Sequence, residues 1–256
     1  MYEIFALKLG DKEVDSSTIF YQHDFGNKTL KSFYCFYLKS SEYSILLDTG
    51  ISSEEMAVRG IKPHFSRQEL LASIGAKPEN IDAIILTHLH SDHFSGIEIY
   101  PEGIFYVQRL EFRFWSEDIR RFRSLLYPPF SKDRPVANIE ALHYLNQQNR
   151  VRFLDGDGDI FPGVRGIWCG AHTPGSQMVL VQTHRGPVLC CSDFIDSYRN
   201  LEDQIPIGVL TCLPEWLEGI GKIEQMRLPR ESIIPGHDPR LMKAFPVITE
   251  DVVKIS

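Results

Sequence analysis

The feature that most constrains the fold is a histidine-rich segment placed directly after a short apolar stretch. Residues 81–87 are almost continuously apolar, which is typical of a strand buried on both faces. The next residues hold three imidazoles and one carboxylate, as His88, His90, Asp92 and His93. Open α/β sheets place their binding sites at the carboxyl ends of such strands. The pattern therefore predicts an α/β fold with a functional site at one sheet edge.

The residue types in this segment favour a metal site. Imidazole and carboxylate groups suit a borderline-soft divalent ion such as zinc. On a tight loop, His88 and His90 can aim at one point while Asp92 and His93 reach a second point beside it. The alternative is a solvated loop that happens to be rich in histidine. The position of the segment directly after a buried strand disfavours this alternative. The spacing suggests two metal ions.

Three later positions extend this cluster. His172, Asp193 and His237 each follow a predicted strand and stand close to Gly, Pro or another polar residue. Any one of them alone fits a capping or buried polar residue better than a ligand. Taken together with the upstream segment, all three are predicted to be metal ligands.

The remaining pattern alternates strands and helices. Predicted strands cover residues 29–38, 42–47, 151–154, 166–169, 178–182 and 188–191, the last two joined by a turn at 184–187. Predicted helices begin at a capping box on Ser66, cover 107–127, and begin again at Pro214, with a loop at 128–135. The order predicts a mixed α/β sandwich.

No repeat or flexible linker divides the chain, so we expect one domain over residues 1–256 with a helical and loop insertion near 107–148. That insertion is expected to form a lid or an interface, in a monomer or a homodimer. Its aromatic residues either line an acyl pocket or belong to the core: Phe112, Phe114, Trp115 and Phe122.

Composition excludes several classes of protein. A formal net charge of -7 argues against nucleic-acid binding, which depends on clustered Lys and Arg. The five cysteines form no CxxC pair, as expected for free thiols in a reducing compartment. We see no signal peptide in residues 1–10 and no apolar run long enough to span a bilayer. We therefore expect a cytoplasmic protein that acts without a membrane.

The joint motif resembles that of the metallo-β-lactamase superfamily. The resemblance rests on the His88 to His93 segment, the later His172, Asp193 and His237, and an early Asp48-Thr49-Gly50 turn, and covers nearly the whole chain. It implies an αββα sandwich, with two mixed sheets flanked by helices and the metals at one edge. It also implies that one zinc binds His88, His90 and His172. The second would bind Asp92, His93 and His237, with Asp193 bridging both ions and Asp48 supporting the loop.

Within the superfamily, the chain is most similar to the N-acyl homoserine lactonases. Residues 192–198 resemble the lactonase stretch that carries a tyrosine in contact with substrate, which implies that role for Tyr198. The chain differs from the lactonases at Ser91, where they usually carry an aromatic residue, and at Ser176, where they commonly carry a second histidine. These differences concern the substrate, since the ligand set is complete.

The resemblance implies hydrolysis of a lactone or related ester. Two divalent ions about 3.5–4 Å apart hold a water and lower its pKa toward 7, which supplies hydroxide to attack the carbonyl carbon. Tyr198 would donate to the developing oxyanion, and Asp92 and Asp193 belong to the catalytic set, with Asp193 moving the proton to the leaving oxygen.

Two alternatives remain open. One is a thiolester hydrolase of the hydroxyacylglutathione type, which normally adds a C-terminal helical domain that a chain ending at Ser256 leaves little room for. The other is a non-catalytic scaffold that binds metal.

Overall fold

Two β-sheets packed face to face carry the fold. The computed structural model describes residues 1–63, 65–118 and 139–256. Its strands, in chain order, are β1 Glu3–Asp15, β2 Lys28–Lys39, β3 Ser44–Leu47, β4 Lys62–Pro63, β5 Ala83–Ile85, β6 Ile104–Gln108, β7 Val151–Leu154, β8 Gly158–Phe161, β9 Val164–Trp168, β10 Gln177–Thr183, β11 Gly186–Ser192, β12 Ile233–Pro235, β13 Val247–Thr249 and β14 Val252–Lys254.

The helices lie mainly on the outer faces of the sheets. They are α1 Ser53–Arg59, α2 Arg67–Ser73, α3 Arg109–Arg113, α4 Ile139–Gln147, α5 Tyr198–Glu202, α6 Leu213–Gln225 and α7 Leu241–Ala244. A π-helical turn, Phe114–Asp118, continues α3, and short 3₁₀ turns occur at Ser16–Thr18, Pro78–Asn80, Ile97–Ile99 and Arg230–Ser232. Within the described ranges, no helix is long and apolar enough to cross a membrane.

Both sheets are mixed. The first has the order β13-β14-β1-β2-β3-β5-β6-β7, with β4 added beside β1. Strands β3, β5, β6 and β7 run parallel to one another, whereas β1, β2 and β3 are antiparallel. The second has the order β12-β11-β10-β9-β8, in which β11 and β12 are parallel and the others antiparallel. The two sheets are sequential along the chain, apart from the C-terminal strands that return to the first.

Three apolar layers hold the sandwich together. Ile4, Leu38 and Ile45 of the first sheet meet Val179 and Val181 of the second in the central layer, and all five side chains are buried. A second layer packs the outer face of the first sheet against α1, α2 and α4, and a third packs the second sheet against α6. Fully burying an aliphatic side chain contributes about 1.5–3 kcal/mol. The predicted αββα sandwich with two mixed sheets is confirmed.

Local sequence signals account for several elements. The capping box predicted at Ser66 is present, because the Ser66 hydroxyl accepts from the Glu69 N–H and the Glu69 side chain accepts from the Ser66 N–H. The predicted turn at 184–187 joins β10 and β11 as a hairpin in which Thr183 pairs with Gly186. Helix α6 begins at Leu213 with Pro214 in its first turn, where the missing N–H of proline costs nothing.

The helix predicted over 107–127 starts too early. Val107 and Gln108 belong to β6, where they pair with Phe153 and Leu154 of β7, and the helix begins at Arg109. Buried parallel pairing outweighs the helical pattern there. Residues 119–127, including Phe122, and the loop predicted at 128–135 lie outside the described residues. The lid or interface role of the 107–148 insertion stays a prediction.

Sequence patterns also missed short elements. Helices α1, α4, α5 and α7 and strands β8, β13 and β14 were not predicted. Each has at most nine residues, so it gives little periodicity to detect.

Candidate metal centre

The predicted ligands all follow strands that end at one edge of the sandwich. The His88 to His93 segment follows β5, His172 follows β9, Asp193 follows β11 and His237 follows β12. Six of the seven side chains are buried, and His90 is partly exposed. Strands from both sheets therefore bring the seven side chains together.

The first group of ligand atoms consists of three imidazole nitrogens. His90 Nδ1 lies 3.1 Å from His88 Nε2 and 2.8 Å from His172 Nε2. The three atoms fall within 4.8 Å of one another, as ligands of one ion do.

The second group lies around Asp193. Its Oδ1 is 2.9 Å from His93 Nε2 and 2.9 Å from His237 Nε2. Asp92 Oδ2 is 4.0 Å from each of the same two nitrogens. The other oxygen of Asp193, Oδ2, lies 3.5 Å from His172 Nε2 in the first group. Asp193 therefore stands between the two groups.

Each of three imidazoles is fixed by a hydrogen bond on its outer nitrogen. His93 Nδ1 donates to Asp48 Oδ2 (2.8 Å), His172 Nδ1 to the Val209 carbonyl (2.8 Å) and His237 Nδ1 to the Ser32 carbonyl (2.7 Å). Such bonds fix the tautomer, so that Nε2 presents a lone pair to the centre. Lone pairs and carboxylate oxygens that converge in a buried space repel one another unless a cation lies between them. The donor set therefore fits two divalent ions.

Electrostatics supports the same conclusion. Burial lowers the pKa of His88 and His90 well below the ordinary value and also lowers that of His237, so these rings are neutral and able to ligate. Burial opposes a charge on His93 as well, but Asp193 and Asp48 outweigh it and raise the pKa of His93 well above its ordinary value. A proton and a metal ion therefore compete for the same nitrogen.

Asp48 ties two loops to the centre. It sits after β3 with a φ of 61°, a left-handed conformation that Asp tolerates better than most residues. Its Oδ1 accepts from the Thr87 N–H, and its Oδ2 accepts from the Thr87 hydroxyl and from His93 Nδ1, at 2.7, 2.7 and 2.8 Å. This carboxylate therefore orients both the start and the end of the ligand loop.

Glu111 in helix α3 plays a similar part and was missed in the sequence. Its carboxylate is fully buried and accepts four hydrogen bonds. Oε1 accepts from the Leu89 N–H (2.9 Å) and Trp115 Nε1 (2.7 Å). Oε2 accepts from the Thr173 hydroxyl (2.8 Å) and the Gly175 N–H (2.9 Å). One side chain thus joins the loop of His88 and His90 to the loop of His172. Only the three-dimensional contacts reveal it, since a glutamate on a charged helix carries no distinguishing signal.

A cleft of about 490 Å³ opens above the ligands. Its floor includes His90, Asp92, His172, Asp193 and Asp196, and its walls include Lys12, Lys31, Phe33, Arg59 and Trp115. Trp115 packs its ring against His90, with centroids 5.6 Å apart. Phe112 and Phe114 pack against the core instead.

Two further charged residues beside the ligands were also missed. Lys31 Nζ lies 3.6 Å from Asp92 Oδ2, and Arg59 Nη1 lies 3.5 Å from Asp92 Oδ1. Burial alone would raise the pKa of the Asp92 carboxyl, but Lys31, His93 and Arg59 hold it well below its usual range. Asp196 Oδ1 is buried without a hydrogen-bond partner in the described chain, and burial beside Asp193 raises the pKa of the Asp196 carboxyl.

Tyr198 is placed differently from the ligands. It begins helix α5, packs against the central apolar layer and lies under Arg240, whose guanidinium carbon is 5.0 Å from the ring centroid. It is not among the residues that line the described cleft. The structure therefore brings the seven predicted ligands together and leaves Tyr198 apart, and its catalytic role stays a prediction.

The two positions that differ from the lactonases make local contacts. The Ser91 hydroxyl contacts Arg59 Nη2 and donates to Glu55 (3.0 Å), and Ser176 hydrogen-bonds Thr173 (2.6 Å). The remaining described histidines, His23, His143 and His184, belong to no ligand group, and His64 lies outside the described residues.

Comparisons with known proteins agree with this geometry. A sequence profile described as the metallo-β-lactamase superfamily matches residues 33–237. An N-acyl homoserine lactonase of Bacillus cereus is 25% identical over 241 residues, which cover 88% of this chain and 88% of that protein.

Solved structures share the fold. An N-acyl homoserine lactone hydrolase, solved with the product N-hexanoyl-L-homoserine bound at its catalytic metal centre, superposes with a TM-score of 0.73 at 22% identity and covers 96% of each chain. The dizinc quorum-quenching lactonase AidC, also solved with a hexanoyl-homoserine product, superposes with a TM-score of 0.71 at 18% identity, covering 93% of this chain and 88% of that one.

Proposed function

Since the chain belongs to the metallo-β-lactamase superfamily, we propose that it is a dinuclear-metal hydrolase that opens a lactone ring, with N-acyl homoserine lactones as the first substrates to test. One observation carries the proposal. Five imidazoles and two carboxylates converge on two adjacent points at the floor of an open cleft. The similarity to a lactonase over 88% of the chain supports the choice of substrate.

We assign the ligands from their positions around Asp193. His88, His90 and His172 would hold one ion, and Asp92, His93 and His237 the other, with Asp193 shared. Mixed nitrogen and oxygen ligands suit Zn²⁺, and Mn²⁺, Fe²⁺ or Co²⁺ fit the same donors. When bound, the two ions polarise a carbonyl and supply a water-derived nucleophile at neutral pH.

The reaction we propose is simple hydrolysis. The oxygen of water forms a bond to the carbonyl carbon, and the bond between that carbon and the ring oxygen breaks. One proton of water ends on the ring oxygen and the other is released to solvent. The products are a carboxylate and a hydroxyl on the same molecule. Asp193 Oδ2 faces the first group of ligands and Lys31, so we propose that this carboxylate carries the proton to the leaving oxygen.

The walls of the cleft orient the substrate and limit water. Trp115 and Phe33 both line the cleft, so we propose that an acyl chain packs on this side, next to the reacting carbonyl. These two apolar side chains would also exclude water from their side of the floor, which strengthens the electrostatic interactions there.

The test compares metal-free and metal-loaded protein on a substrate panel. Protein stripped with a chelator should be inactive, and Zn²⁺ at about two per chain should restore turnover of N-hexanoyl homoserine lactone. The panel also contains an aromatic lactone and a glutathione thiolester. Preference for the thiolester would identify a different hydrolase, and tight metal binding without any turnover would indicate a scaffold.

Two ligand variants sharpen the test. His90→Ala and Asp193→Ala should each lose bound metal and turnover together, because each residue contributes to a ligand group. His184→Ala is the matched control, since His184 belongs to no ligand group of the described chain. If either ligand variant kept wild-type metal content and rate, the assignment of the centre would be wrong.

A further inference from the structure

The ammonium group of Lys31 stands at the centre without serving as a ligand. Lys31 lies on β2, its side chain is 17% exposed, and it lines the cleft. Its Nζ is 3.6 Å from Asp92 Oδ2 and 3.9 Å from Asp193 Oδ2, and both distances exceed a hydrogen bond. An ammonium offers three donors, and none of them reaches an acceptor at hydrogen-bond distance in the described chain. A largely buried cation without a direct hydrogen bond to the described residues therefore faces the floor of the cleft.

The strand neighbours of Lys31 do not favour its charge. Its direct cross-strand partner on β1 is Lys12, and like charges in directly opposite positions destabilise a strand pair. Arg59 adds a third cation nearby, 3.5 Å from the other oxygen of Asp92. The ring of Phe33 lies 5.5 Å from Lys31 Nζ and supports the ammonium through a cation–π contact. The positive charge of Lys31 is therefore held by the carboxylates of the centre, Asp92 and Asp193, and not by its neighbours on the strands.

Metal binding makes the charge of Lys31 more available. The carboxylates nearest to Lys31, Asp92 and Asp193, are the ones assigned to the metal ions, which would neutralise them. Lys31 would then keep its charge and lose most of its counterion. An anionic group in the cleft would restore that balance, and ester hydrolysis produces one, first on the carbonyl oxygen and then as the product carboxylate.

We propose that Lys31 is a catalytic residue, whose ammonium donates a hydrogen bond to the substrate oxygen on which negative charge develops. This rests on the proposed hydrolytic function. As the water oxygen bonds to the carbonyl carbon, an electron pair of the C=O bond moves onto the carbonyl oxygen, and Lys31 stabilises it. The pair returns when the bond to the leaving oxygen breaks. Lys31 keeps its proton throughout, and the proton received by the leaving oxygen comes from water.

The first experiment compares Lys31→Met with Lys31→Arg in metal-replete protein. Lys31→Met removes the charge and keeps the length of the side chain, so kcat should fall about 10²–10³-fold with a much smaller change in KM. Lys31→Arg keeps the charge and should recover part of kcat. Lys39→Met makes the same change at the exposed end of the same strand and should behave as the wild type.

Two measurements that need no turnover separate catalysis from structural support. The affinity for the hydroxy-acid product, measured by calorimetry, should fall about tenfold in Lys31→Met, because the carboxylate loses its cation. The affinity of the apoprotein for Zn²⁺, measured by chelator competition, should stay equal or rise, since a cation that repels the metal has been removed. A structural role in holding Asp92 and Asp193 would instead lower metal affinity.

The outcomes also separate this proposal from the proposed function. A wild-type protein that hydrolyses no ester would refute the function, and unchanged product binding by Lys31→Met would then refute the role of Lys31 as well. Normal turnover by Lys31→Met in an active enzyme would overturn Lys31 alone. A parallel loss of kcat and metal affinity would also overturn it, in favour of a supporting role.

Discussion

Replacing Glu111 with glutamine tests how the candidate centre is held together. The buried carboxylate accepts four hydrogen bonds. One comes from Leu89, next to His90, and one from Trp115, whose ring packs against His90. The other two come from the loop that carries His172. Glu111→Gln keeps the shape of the side chain but replaces one oxygen with an NH₂ group, which is a donor. Two of the four donors therefore lose their acceptor and meet another donor.

The size of the effect follows from these contacts. Leaving one buried donor unsatisfied costs about 1–3 kcal/mol, so two donors predict a loss of about 2–6 kcal/mol in the free energy of unfolding. That is a large part of the total for a domain, about 5–15 kcal/mol. Because the loops of His90 and His172 would no longer be joined, metal affinity should also fall about 10–100-fold, as for other groups that orient ligands.

Urea unfolding of the apoprotein gives the stability change, and chelator competition gives the metal affinity. The matched control is Glu117→Gln, the same substitution at an exposed position on the turn that follows α3. It should change unfolding by no more than about 0.5 kcal/mol. If Glu111→Gln unfolded at the same urea concentration as this control and bound Zn²⁺ as tightly as the wild type, Glu111 would not join the loops.

Four further substitutions test three separate parts of the structure. Asp48→Asn removes the carboxylate that orients His93, so metal affinity in the chelator assay should fall about 10–100-fold, and an unchanged affinity would count against that role. Gly175→Ala would place a Cβ 2.2 Å from the backbone nitrogen of Glu111 in α3, so the free energy of unfolding should fall by about 1–3 kcal/mol in the urea titration. Gly221→Ala lies in open space on α6, so the same titration should show a rise of about 0.4–1 kcal/mol. Tyr198→Phe should leave metal content intact, and kcat should fall far less than the 10²–10³-fold expected for loss of an oxyanion donor, about the size measured for such groups. The reason is that the ring of Tyr198 lies under the side chain of Arg240 and does not line the described cleft. A loss of kcat of that full size would support the role that the resemblance implies.

The sequence predicts the ligand positions because they are local patterns at strand ends. Four of the predicted ligands fall within six consecutive positions: His88, His90, Asp92 and His93. Each of the other three follows a recognisable apolar strand: His172, Asp193 and His237. The sandwich follows from the same alternation of elements, and the structure confirms it. Patterns of this kind can be read from the sequence without any knowledge of tertiary contacts.

The residues that the sequence did not reveal depend on distant partners. Glu111 is one acid among many until its carboxylate meets the loop of Thr173, 62 positions away. Lys31 resembles any lysine on a strand until its ammonium faces Asp92 and Asp193. For Tyr198 the resemblance implies a contact with substrate, whereas the structure places its ring under Arg240 and outside the residues that line the described cleft, so that role stays a prediction.

The hydrogen bond from His237 to the Ser32 carbonyl bears on how the protein matures. It joins residues 205 positions apart, and the contact between His172 and His90 spans 82 positions. Contacts between distant parts of a chain form late and slowly in folding, because the entropy of closing long loops is lost before the contacts stabilise them. Of the proposed ligands, only the His88 to His93 segment is local in sequence, and the proposed pair of sites would be complete only once β12 has docked. Under the proposed assignment, the fraction of chains that bind two ions would therefore report how many have reached the native state.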